Sequence, residues 1–317
     1  MDKFKNLKIA CTFIGSTIGA GFASGREIAL YFAATSPLSP LLGGVFCGLF
    51  CYVFVELGRI SDGDILKYSF KKMSKFFLAL IQLSNLIIYI AMLAGSEYIF
   101  QRLLGISGGT IISAVFCLVC IYMGVNKLKL LNAVAVPMMF VLIVFLYIKV
   151  KPPILPFQSF ALHTPILYAC MNILSGGYLI STFAKGLKPS DSVNISLIVT
   201  VIISSLLVLI YLLIQDCFNM PMPMLFTASA VGLIELGCII LYLAVFTTLV
   251  GSLYIITGPD MKKAMLFTSI GLVVSVFGFK ELTDKLYPLM GYLGSFLVLY
   301  GIYQLVFKRK KYFAAIS

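Results

Sequence analysis

Residues 15–27 read GSTIGAGFASGRE: Gly15, Gly19, Gly21 and Gly25 among three small hydroxyl residues, closing on the pair Arg26-Glu27. The surrounding apolar run, 7–34, is long enough to cross a hydrocarbon core of ~30 Å at about 1.5 Å per residue. Glycine reaches backbone conformations that other residues avoid, so a helix crossing here is predicted to break. In lipid, a carbonyl or amide released from the helical ladder must find a partner inside the protein. A bound ligand can be that partner.

The whole chain supports a lipid setting. Its 317 residues are 61% hydrophobic and 11% charged, against roughly half apolar and a quarter charged in soluble domains. It reads as an all-α integral membrane protein with the lipid bilayer as its surroundings. The formal net charge of +12 does not point to nucleic acid, because the basic residues sit in short clusters between apolar runs, the pattern of cytoplasmic membrane loops. The eight cysteines lie within or at the edge of apolar segments. Cys117-Leu-Val-Cys120 has no second pair and no neighbouring histidine to complete a metal site, so the thiols read as buried and inert. No cofactor is expected.

Apolar runs fall at 7–34, 38–60, 76–103, 109–124, 130–149, 162–184, 192–215, 225–256, 264–281 and 286–307, which predicts ten transmembrane helices. A cytoplasmic N-terminus puts most of the 24 basic residues on the inner side, including Lys71, Lys72, Lys75, Lys262, Lys263 and the tail Lys308, Arg309, Lys310 and Lys311. Both termini are therefore expected in the cytoplasm. The first span has no cleavage site and is expected to be retained. No connection is long enough to bury a core of its own. The chain thus reads as a single transmembrane domain, 1–317, whose function lies inside the bundle.

The glycine break has a counterpart. The sixth span contains Ser175-Gly176-Gly177, about as deep in its segment as Gly19-Ala20-Gly21 is in the first and about half the chain away. Paired interruptions in two halves mark inverted-repeat transporters. Spans one to five (about 7–150) and six to ten (about 160–308) read as two units of five, and an odd number of spans inverts the second unit. Helices one and six are both expected to be discontinuous. Freed amides favour a carboxylate and freed carbonyls a cation or ammonium, so a zwitterion suits such a site. Glycines can instead serve close helix packing. The matched second break is what favours unwinding.

The motif GSTIGAGFASGREI (15–28), near the start of a ten-span chain of this length, resembles the YkvI-like bacterial membrane proteins. That family is assigned as amino-acid permeases of the amino acid-polyamine-organocation superfamily, with the LeuT-type fold. The resemblance implies a multi-pass protein of the bacterial cytoplasmic membrane. It also implies that Gly19, Ala20 and Gly21 give backbone atoms to a substrate carboxylate, facing Ser175, Gly176 and Gly177. By the same analogy a sodium ion would sit between the carbonyls of Gly15 and Ile18 and the eighth-span hydroxyls of Thr247 and Thr248. Oxygen ligands of this kind suit a hard cation. Each threonine could equally bond back to its own helix.

Ionisable residues within spans are functional candidates, because lipid exposure costs on the order of 3 kcal/mol. Arg26, Glu27, Glu97 and Glu235 qualify. Arg26 is expected to pair with Glu97 or Glu235 as an outer gate, or one of these glutamates to carry a proton. A fixed structural pair is the alternative. Asn172, one turn before the second break, and Tyr89 in the third span are further substrate-lining candidates. Glu56 and Arg59, one turn apart, read as a local ion pair.

No HExxH, no GxSxG and no intramembrane aspartate pair supports an enzyme. The expected function is cation-coupled symport, with sodium preferred over protons, of an amino acid or similar small zwitterion by alternating access. The alternative is a receptor that keeps the transporter fold and binds a small molecule without moving it.

Overall fold

The computed structural model describes residues 3–33, 35–124, 128–153 and 161–307, with side chains excepted at 3–4 and 128–136, and no strand occurs among them. The basic tail 308–311 lies outside the described residues. The first apolar run holds α1 (Lys3–Thr17), α2 (Ala20–Ala23) and α3 (Arg26–Phe32). The ladder of α1 stops with Ile18 N donating to Ile14 O at 2.7 Å and resumes with Ala23 N donating to Gly19 O at 2.9 Å. Between them, the carbonyls of Gly15, Ser16, Thr17 and Ile18 accept no helical hydrogen bond. A second interruption falls at Gly25, whose φ of 77° is left-handed. A Cβ there would cost about 1–2 kcal/mol, and it would also lie 3.2 Å from Met224 Cγ.

The chain continues through α4 (Leu38–Ile60), α5 (Ser74–Leu104), α6 (Gly109–Met123), α7 (Leu128–Val150), α8 (His163–Thr182) and α9 (Pro189–Leu213). It ends in α10 (Pro223–Ala230), α11 (Ile234–Thr257), α12 (Met261–Ser275) and α13 (Phe279–Phe307). Five helical stretches among the described residues, 38–60, 66–104, 189–213, 234–257 and 279–307, are long and apolar enough to cross a membrane. Val115, Phe116, Val273 and Val276 are exposed on α6 and at α12. Such a surface would be an aggregation hazard in water. In a bilayer it is the lipid contact.

Helix α4 packs along α8 and α9, α13 along α8, and α11 along α5. Lipid tails are as apolar as leucine, so association of helices relies on close packing and small residues. A Cβ on Gly44 of α4 would collide with the backbone of Ser204 on α9. One on Gly294 of α13 would collide with the Cys170 carbonyl on α8.

The expected break in the sixth span is corrected by α8, which runs unbroken through Ser175-Gly176-Gly177. Here the glycines serve packing. A Cβ on Gly176 would strike Ser16 Oγ and lie 3.2 Å from Phe13 Cδ2 of α1, and one on Gly177 would lie 3.2 Å from Phe54 Cδ1 of α4. Ser175 Oγ donates to Asn172 O at 3.0 Å, a back-bond that a continuous helix tolerates. The eighth apolar run, 225–256, divides instead into α10 and α11 around Gly232, φ 73°.

Candidate functional site

The interruption between α1 and α2 opens onto a cavity of about 40 Å³, enough for a few water molecules. Gly19, Ala20 and Gly21 form one wall, and Asn172 and Ser175 of α8 face them. Ile88 and Met92 of α5, Thr248 of α11, and Tyr287 and Met290 of α13 complete the lining with Ser16, Thr17, Glu27 and Met171. The broken first run and the continuous α8 therefore form two facing walls of the space. The continuous helix offers side chains, and the broken run offers backbone together with the side chains of Ser16 and Thr17.

The polar groups of α8 and α1 are largely turned to their own backbones. Asn172 Nδ2 donates to Tyr168 O at 3.0 Å, and Ser16 Oγ to Phe13 O at 2.8 Å. Two buried oxygens of lining residues, Thr17 Oγ1 and Glu27 Oε2, have no hydrogen-bond partner.

Of the residues expected to hold substrate, Gly19, Ala20, Gly21, Asn172 and Ser175 border the cavity. Gly176 and Gly177 lie behind it against α1 and α4. Tyr89 points away, its hydroxyl 2.9 Å from Thr268 Oγ1 on α12. Neighbouring helical residues differ in direction by about 100°, and Ile88 and Met92 take the inward positions on α5.

The four residues expected around sodium are distributed unevenly. Thr248 Oγ1 accepts from Ala20 N at 3.4 Å, so it adjoins the broken backbone. Thr247 is buried and donates to Ala244 O at 3.1 Å. Ile18 is buried beside the break, while Gly15 is exposed.

The partner expected for Arg26 is corrected. Its Nε donates to Asp284 Oδ1 of α13 at 2.8 Å, and Nη2 forms an ion pair with the same oxygen. Nη1 donates to the carbonyls of Phe218 at 2.8 Å and Met220 at 3.2 Å. Arg26 is 5% exposed, and planar guanidinium suits this multidentate burial. Glu97 is occupied elsewhere, accepting from Gly108 N at 3.1 Å and Thr110 N at 2.9 Å at the start of α6. Free amides at a helix start attract a carboxylate locally. Glu235 is exposed in the first turn of α11. Asp284 falls between the last two apolar runs, so it reads in sequence as a loop residue. The Glu56–Arg59 pair is present, with Arg59 Nε donating to Glu56 Oε2 at 2.8 Å.

In the sequence Glu27 stands out only as an intramembrane charge, and Thr17, Met92, Met171, Tyr287 and Met290 are lining residues that the expected site does not include. The hydroxyl of Thr17 carries a signal, since it stands inside the glycine motif. The methionines and Tyr287 carry none, because apolar and aromatic residues line every span.

No protein-family model matches the chain. It is 25% identical over 322 residues to the uncharacterized membrane protein YkvI of Bacillus subtilis (strain 168), covering 90% of this chain and 92% of that protein. It is 24% identical over 339 residues to the uncharacterized protein YyaD of the same organism, covering 92% and 94%. The YkvI-like resemblance read from the first span is thus borne out along the chain, and the protein is a multi-pass membrane protein. Its structure is similar to Mhp1 in an inward-facing conformation, at a TM-score of 0.62 and 12% identity, covering 95% of this chain and 77% of Mhp1. A closed conformation of Mhp1, a nucleobase-cation-symport-1 family transporter with bromovinylhydantoin bound, gives 0.55 and 10%, covering 92% and 74%. At these identities the likeness establishes the fold, the LeuT-type architecture that the resemblance implied.

Proposed function

We propose that the protein is a secondary active transporter that carries an amino acid or similar small zwitterion by alternating access, coupled to a cation, with sodium preferred over protons. The observation that carries this reading is the cavity at the break between α1 and α2, bordered by Ser16 and Thr17, whose carbonyls have no helical partner, and by Asn172 and Ser175. Carbonyls released from a ladder inside lipid need a partner, and a guest supplies it. Gly19, Ala20 and Gly21 with Asn172 and Ser175 would contact the substrate. Gly176, Gly177 and Tyr89 would support the walls from behind. The Mhp1-like fold is consistent with a transporter; in this reading the chain would make ten crossings in two inverted units of five, with both termini cytoplasmic.

Sodium would bind the Gly15 and Ile18 carbonyls with the hydroxyls of Thr248 and Thr247. The absence of helical partners on both carbonyls supports it, as does the closeness of Thr248 to Ala20. Arg26 and Asp284 would form a lock that joins α3 to α13 and to the segment at 218–220, closing one end of the path. A lock must break in each cycle, and its partly exposed acid, with a side chain 30% exposed, lets water compete for the arginine.

An uptake panel of amino acids in proteoliposomes, with and without a sodium gradient, tests the reading. Accumulation driven by sodium is the expected result. Binding without accumulation would favour a receptor of the same fold.

A further inference from the structure

Glu27 is the one buried lining acid of the cavity, and among the described residues its Oε2 has no hydrogen-bond partner. The residue is 8% exposed and takes part in none of the ion pairs of the described chain. Its neighbour Arg26 is committed to Asp284 and to two carbonyls. The titratable groups around it are Tyr31 on its own helix, Tyr168 on α8, Tyr287 on α13 and Cys47 on α4. None of these is a cation. From α9, Tyr211 turns its hydroxyl to Thr35 O, and α2 carries no titratable residue.

An ionised carboxylate in such a place would forfeit its hydration, at several kcal/mol, with no opposite charge in return. The neutral acid loses far less. A carboxyl that needs a proton when dry and can release it when wet is a natural proton carrier. Its position fits this use, because it lies against Gly21 at the break and borders the central cavity.

We propose that Glu27 is a proton-binding site of the central cavity, neutral while the cavity is closed to water and releasing its proton to water when that path opens. The O–H bond of the acid breaks, the electron pair stays on the carboxylate, and the proton passes to water; rebinding reverses the step. The site itself stands independently of the transport reading. Its role as a second coupling ion beside sodium rests on that reading.

Infrared difference spectroscopy of the full chain in lipid vesicles, with pH as the variable, tests it. The expected result is a carboxylic-acid C=O stretch at neutral pH that disappears in alkali and is absent in Glu27→Gln. Absence of that band from the wild-type protein at neutral pH overturns the proposal, as a carboxylate held by water or by sodium would give. Persistence of the band in Glu27→Gln also overturns it. Should Glu27→Gln fail to fold, Glu27→Asp serves, with a shifted band expected and an unshifted one overturning the assignment. A protein that accumulates substrate yet lacks the band sinks the proton site and leaves the transporter standing. A protein that shows the band, and loses it in Glu27→Gln, but fails every uptake assay supports the proton site and counts against the transporter.

Discussion

Glu27 fills the space that a side chain at Gly21 would need: a Cβ built on Gly21 lies 2.8 Å from Glu27 Cδ and 3.0 Å from Cγ. The acid of α3 thus folds back over the break that precedes it, and a glycine is the residue that makes the approach possible. Gly21→Leu should displace the carboxyl and crowd the cavity, at about 1–3 kcal/mol for overpacking. Substrate uptake is expected to fall to background while the purified protein still elutes as a monodisperse species. Uptake at the wild-type rate would remove this wall from the site.

Arg26 holds two elements and two carbonyls together with one side chain. Arg26→Ala should cost about 2 kcal/mol, the loss of charge-assisted hydrogen bonds. It should also raise the rate at which a thiol reagent reaches a cysteine introduced at Met290 in an otherwise cysteine-free protein. Thermal unfolding and labelling kinetics measure the two effects. Unchanged labelling would mean that the pair is a fixed brace and no lock.

For the threonines the expectation is unequal. Thr248→Ala removes the hydroxyl beside Ala20 N and should raise the sodium concentration for half-maximal uptake roughly tenfold, the equivalent of about 1.4 kcal/mol. Thr247→Ala, whose hydroxyl already bonds to Ala244 O, should raise it less. Uptake assayed across a sodium series decides between them. Equal sodium dependence in wild type and Thr248→Ala would end the sodium assignment.

Two packing glycines differ in what they meet. Gly294→Ala forces a methyl group against the Cys170 carbonyl, which is backbone and cannot swing away, whereas Gly176→Ala meets the rotatable Ser16 hydroxyl first. Thermal unfolding in detergent should show the Gly294 variant to be the more destabilised, within about 1–3 kcal/mol. The reverse order would contradict the helix contacts described.

Asp260, outside the spans, caps α12 by accepting from Lys262 N at 3.0 Å and Lys263 N at 3.2 Å. The Lys263 amide, foremost among these neighbours, holds its carboxyl below the ordinary aspartate range. A lowered native value means that the cap stabilises above the unfolded-state pKa and loses its effect as pH falls through the native one. The melting-temperature gap between wild type and Asp260→Ala should therefore be full at neutral pH and shrink in acid. A gap independent of pH would show that the carboxylate is not the cap.

Much of the candidate site was legible. The glycines of 15–25 announced a break because backbone freedom is a local property, carried by the residue itself. Ser175-Gly176-Gly177 carries no such local answer, since a glycine pair in a span serves unwinding or close approach, and only the neighbouring Phe13, Ser16 and Phe54 decide which. Tyr89 was misplaced by one inward-facing position. In a span apolar on every side, hydropathy gives no direction to its faces.

The sequence by itself determined that this chain lives in lipid, that its first apolar run is interrupted, and that charge enters the bundle at Arg26 and Glu27. These follow from transfer free energy and backbone sterics, which act residue by residue. Tertiary structure alone decided that Arg26 meets Asp284, that α8 stays whole, and that Glu27 turns back onto Gly21. Each is a contact between segments far apart in sequence or on opposite sides of a turn, and it is set by how the helices pack rather than by any residue's own preference.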